Sequence, residues 1–94
     1  MAQQYIGTAR IGPSGNVAYT GTAGSYGPVG TETWKVRVLV TTDAFVTTDG
    51  QTPSSTAGAY VVASSPEYFT VSAGQTVKAV QVASAGTLYV TECV

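Results

Sequence analysis

The side chains that could do chemistry here are five carboxylates, Glu32, Asp43, Asp49, Glu67 and Glu92, one thiol, Cys93, and a large stock of Ser and Thr hydroxyls. A glycosidase would need two of the carboxylates facing each other about 5 to 9.5 Å apart, yet each of the five stands at a strand end or in a loop, where a solvated charge is expected. The chain has no His, so no imidazole can serve a Ser nucleophile as base, and no Gly-x-Ser-x-Gly turn occurs. The glycines of residues 21–30 are followed by no Gly-Lys-Ser/Thr and open no helix, which leaves phosphate binding without support. Residues 49–58 offer one carboxylate where a calcium loop needs several at fixed spacing. A single Cys cannot close an internal disulfide, and Cys93 reads as a small, partly buried strand residue. The expectation is a protein that is not an enzyme and holds no metal or cofactor.

The elements that carry these residues read as strands. At 94 residues the chain is one small domain, 44% hydrophobic and only 10% charged, where ordinary soluble domains carry about 25% charge. Four basic side chains against five acidic ones give no electrostatic case for nucleic acid or an anionic membrane. No apolar run approaches a membrane-spanning length, and the start lacks the basic and apolar regions of a secretory leader, so synthesis in a cytoplasm is expected. Residues 33–40 are the best strand, with Trp34, Val36, Val38 and Val40 on one face and Lys35, Arg37 and Leu39 on the other. Further strands are expected at 4–11, 16–20, 44–48, 59–63, 68–71, 76–83 and 87–93. Turns at 72–75 and 84–86, with Gly74 and Gly86 placed for positive φ, predict an antiparallel meander of the last three strands. Seven or eight such strands predict an all-β fold, a small antiparallel sandwich or jelly-roll-like barrel of two sheets. Residues 49–58, all polar or small, read as an exposed loop.

Between residues 21 and 30 Gly recurs at every third position. This segment reads as a loop between sheets, or as an extended arm whose Gly side lies against a neighbour. Several strands are apolar on both faces: Tyr60 and Val62 oppose Val61 and Ala63, Leu88 and Val90 oppose Tyr89, and Leu39 opposes the Trp34 stripe. One sandwich core buries one face per strand. The second apolar faces, with so few charges to guard them, predict cover by other subunits: a homo-oligomer, a trimer being favoured, or a place in a larger assembly. The nine aromatics, among them Trp34, Tyr60, Tyr68 and Tyr89, also allow a sugar-stacking platform.

Four stretches carry a resemblance: residues 43–50 (Asp-Ala-Phe-Val-Thr-Thr-Asp-Gly), residues 59–62 (Ala-Tyr-Val-Val), residues 66–82 around Glu67-Tyr-Phe-Thr-Val-Ser-Ala-Gly74, and Gly86-Thr-Leu-Tyr-Val-Thr-Glu92. Over about its C-terminal half the chain resembles small virion structural proteins of tailed bacteriophages. The resemblance implies a non-enzymatic β-sandwich that decorates or cements a capsid, with the major capsid protein or other virion proteins as partners and the virion as its location. A neck, tail or head-fibre component, or a carbohydrate or host-surface binding module, is the alternative. Flexibility and exposure nominate three contact elements: Gln3, Gln4, Tyr5 and Ile6; Gly21, Gly24, Tyr26, Gly27, Pro28 and Gly30; and Asp49, Gln51 and Pro53.

Overall fold

The computed structural model describes residues 11–94. Eight strands form in chain order: β1 (Ile11–Tyr19), β2 (Gly24–Tyr26), β3 (Lys35–Val40), β4 (Ala44–Thr47), β5 (Ala59–Val61), β6 (Glu67–Thr70), β7 (Val77–Gln81) and β8 (Gly86–Cys93). They make two four-stranded antiparallel sheets, β1-β8-β3-β6 (the first sheet) and β2-β7-β4-β5 (the second). The pairs β1/β8, β2/β7, β3/β6 and β4/β5 are nested about residues 48–58. That nesting is the arrangement of a jelly roll: one long hairpin, with its tip at the polar loop, rolled into a two-sheet sandwich.

The period-2 pattern drives this packing. On β3, Val36, Val38 and Val40 are fully buried, and Leu88 and Val90 meet them from β8. Ala44 and Val46, Val61, and Val77 and Ala79 supply the other side of the core from β4, β5 and β7. Most of this core is valine, whose β-branched side chain suits the pleated surface. Trp34 departs from its expected place beside the three valines. It precedes β3 at the end of the sandwich and remains 41% exposed.

The predicted meander does not form. β6 and β8 lie in the first sheet and β7 in the second, because in a rolled hairpin a strand pairs with its mirror image about the tip and not with its sequence neighbour. The turn after β6 is held to the opposite sheet's approach: Gly74 N donates to Val29 O at 3.1 Å and Val29 N to Gln75 O at 2.9 Å. Gly74 has the expected positive φ, +81°. Gly86 is glycine for a different reason: a Cβ there would lie 2.4 Å from Thr42 Oγ1 and 2.7 Å from the Tyr19 hydroxyl.

The start of β1 and the existence of β2 also differ from expectation. β1 begins five residues before the expected Asn16, crossing Pro13 by a one-residue bulge between Ile11 and Ser14, a placement an edge strand tolerates. The strand expected at 4–11 lies outside the described residues except for Ile11. β2 falls inside the glycine-rich segment, where the sequence predicts a loop between sheets or an extended arm with its Gly side against a neighbour.

Candidate interaction surfaces

The three nominated contact elements sit in different environments. Gln3, Gln4, Tyr5 and Ile6 lie outside the described residues. In the glycine-rich segment Gly21 is exposed, but Gly24 is buried in β2, where a Cβ would lie 2.3 Å from Ala18 O. The segment comes this close to the backbone of β1 because Gly24 has no side chain. Gly27 and Pro28 are joined by a cis peptide bond and are exposed. In the polar loop Asp49 and Gln51 are exposed, while Pro53 is buried. Gln51 N donates to Asp49 Oδ1 at 3.1 Å and the Thr47 hydroxyl to Gln51 O at 2.5 Å, so the loop is built on local hydrogen bonds.

Glu92, read as a solvated charge, is instead buried on the inner face of β8 at 4% exposure. Its Oε1 accepts from Gly30 N at 2.9 Å and from the Thr33 hydroxyl at 2.5 Å, and its Oε2 from the Tyr26 hydroxyl at 2.6 Å. Burial alone would raise the Glu92 pKa, but these three donors outweigh it and hold the carboxyl below its ordinary value. The Tyr26 phenol is pushed up to about 12, first by burial and then by its bond to the Glu92 carboxylate and that group's charge. Its ring rests where a Cβ on Gly15 would lie 2.8 Å from Tyr26 Cε1. All three donors come from residues 26–33, so Glu92 clamps the glycine-rich segment onto β8. No buried side-chain polar atom among the described residues lacks a partner, and the carboxylate is committed to structure.

The outer faces remain. On the second sheet, Tyr60 of β5, Phe45 of β4 and Val80 of β7 stand in one outward row. The Phe45 and Tyr60 rings meet edge to face at 5.4 Å. Val62 and Val82 flank the adjoining Asp43, with Val82 N bonded to Asp43 O at 3.2 Å. Tyr60 and Val62 are each 53% exposed and Val82 37%. The Asp43 carboxylate accepts from the Tyr60 hydroxyl at 2.7 Å and from Ala63 N at 2.8 Å, and these bonds lower its pKa. The Asp43 carboxylate thus stands within this otherwise apolar face, its charge held by the Tyr60 hydroxyl and Ala63 N.

The first sheet's outer face is of another kind. Strand register aligns Ser14, Thr91, Arg37 and Tyr68 in one row and Asn16, Tyr89 and Leu39 in the next. Between the rows lies a shallow depression of about 370 Å³ lined by Ser14, Asn16, Arg37, Leu39, Tyr89 and Thr91 together with Gly15 and Val90. Beside it the Lys35 ammonium lies 4.7 Å from the Trp34 ring centroid and 5.4 Å from that of Tyr68, a cation between two aromatic faces. Two of the chain's four basic side chains therefore share this face.

Neither surface was among the nominated contact elements. The signal for the second sheet was present in residues 59–63, apolar on both sides; the other two strands so marked, with Leu39 and Tyr89, lie in the first sheet. That for the first needed the register that brings β1, β8, β3 and β6 together. Among the described residues no group of three or more His, Cys, Asp or Glu could hold a metal ion, and no helix is long and apolar enough to cross a membrane. No known protein family, curated relative or solved structure matches the chain.

Proposed function

We propose that this chain is a non-enzymatic structural protein of a phage virion, a capsid decoration or cement subunit that works through protein contacts. The observation that carries the reading is the apolar outer face of the second sheet, where Tyr60, Val62 and Val82 remain exposed beside Phe45 and Val80 although a complete core already lies on the other side. Such a largely apolar face, broken only by the Asp43 carboxylate between Val62 and Val82, is stabilised when a partner covers it, at about 25 cal/mol per Å² of apolar area before the costs of association. The occupant is protein, either a second copy of this chain or the major capsid protein.

Two further points support the virion assignment. The C-terminal half resembles small phage structural proteins, and the residues of that resemblance build β4, β5, β6, β7 and β8 of the sandwich. The jelly-roll strand order is one that viral capsid proteins and lectins use, which is an analogy of fold and not of site. The test is the copy number of this chain in purified particles, measured by quantitative mass spectrometry against the major coat protein. A ratio near one to one or one to three supports a shell-wide decoration protein. A handful of copies moves it to the neck, tail or fibre, and absence from particles refutes the reading.

A further inference from the structure

The outer face of the first sheet has a different chemistry from the apolar face opposite, and its charges are unspent. We infer that it is a binding site for an acidic saccharide, with Arg37 holding the sugar carboxylate and Tyr89 packing against a pyranose ring.

The charge argument comes first. The carboxylates that make hydrogen bonds make them elsewhere: Glu92 on Tyr26, Thr33 and Gly30, Asp43 on Tyr60 and Ala63, and Asp49 on Gln51 N. Residues 1–10 hold no carboxylate. Glu67 pairs with Val38 in register, so it alternates away from the row of Arg37. Among the described residues no hydrogen bond joins a carboxylate, Glu32 included, to Arg37 or Lys35, and the two present their charge on a chain whose net charge is -1. A guanidinium matches a carboxylate with two parallel hydrogen bonds, which a point charge cannot do.

The neighbours of Arg37 select a sugar over an acidic peptide. Thr91 stands directly opposite it on β8, and Tyr89 is the diagonal neighbour, roughly 7–8 Å away and within reach of the same small ligand. Ser14 and Asn16 close the other side from β1, facing Thr91 and Tyr89. Hydroxyl and amide groups both donate and accept, as recognition of a polyol requires. The exposed Tyr89 ring offers a flat apolar surface for the C–H face of a pyranose. A peptide partner would instead want a deep apolar pocket for an anchoring side chain, and this depression is shallow. Lys35, held between Trp34 and Tyr68, extends the positive field along the face, where a second acidic residue of the same chain would lie.

The experiment is a titration of the isotope-labelled protein with pentagalacturonate, with neutral maltopentaose of the same length and a short poly-glutamate as comparisons. Pentagalacturonate is expected to shift the amides of β1, β3 and β8 and to bind measurably tighter than either comparison. Arg37→Gln should weaken it about tenfold, Tyr89→Ala should do so as well, and Lys78→Gln, on the second sheet, should change nothing. Unchanged melting temperatures show that these variants fold. Absence of pentagalacturonate binding overturns the proposal, as does equal binding of poly-glutamate or binding that survives Arg37→Gln. The site lies on the face opposite the assembly surface, so its failure leaves the copy number of the chain in particles unaffected.

Discussion

The Tyr26 hydroxyl donates to Glu92 Oε2 at 2.6 Å, and through this bond a residue of the glycine-rich segment is fixed to the last strand, 66 positions away. Thr33 and Gly30 complete the same clamp on the other carboxylate oxygen. Consequences for stability, pH response and assembly follow from this and from the two unlike outer faces.

Glu92→Ala leaves the Thr33 hydroxyl and Gly30 N without their acceptor in a buried site. The expected loss is about 3 kcal/mol, read as a lower urea midpoint at unchanged slope.

The clamp also sets the pH range. Because the folded-state pKa of Glu92 is depressed below the ordinary 4.5, its contribution is present above that value and is lost as pH falls through the lower folded value. Glu92→Gln should therefore flatten the acid limb of stability against pH. Tyr26 behaves in the opposite sense: with its pKa raised from 10.0 to about 12, its contribution is present below pH 10 and is lost as pH rises toward 12. Tyr26→Phe should flatten that alkaline limb, measured by urea unfolding at fixed pH with phenolate absorbance as the monitor.

Gly24 and Gly50 are glycines for separate reasons, and their Ala variants should separate accordingly. At Gly24 the new Cβ meets Ala18 O at 2.3 Å, and the β1–β2 corner must open, at a cost of about 3 kcal/mol. At Gly50 φ is +83° with nothing within 4 Å, so only the left-handed backbone penalty of about 1 kcal/mol applies. Urea midpoints of the two variants test the order.

Cys93 is buried, and burial pushes its thiol pKa up. A disulfide reagent at neutral pH should modify it slowly in the native protein and rapidly in urea. Fast native labelling would contradict the packed end of β8.

The strands with alternating valines were legible because burial of one face writes itself into period 2, as at Val36, Val38 and Val40. β2 was not, since Gly24-Ser25-Tyr26 carries no β-branched residue and becomes a strand only by pairing with Ala79, Lys78 and Val77. The meander expectation failed on the same ground: short turns can be read locally, whereas the nesting of β3 with β6 and β1 with β8 is a choice made across the whole chain. Glu92 looked like a strand-end charge because its partners lie 59 to 66 residues earlier. The apolar second faces of β5 and β8 were legible, but the rows that join Arg37, Tyr89 and Asn16 exist only once the register is known.

The central claim is that the face bearing Tyr60, Val62 and Val82 is covered by protein in the working assembly. Its most direct test is sedimentation of the wild-type chain and of a Val62→Lys, Val82→Lys variant, alone and mixed with heads stripped of this chain. Both substitutions are at exposed positions, so the variant should keep its fold, confirmed by an unchanged melting temperature. The account predicts that the wild type self-associates or sediments with the heads and that the variant does neither. A wild type that stays monomeric and free of the heads at every concentration, or a variant that binds as well as the wild type, would contradict it.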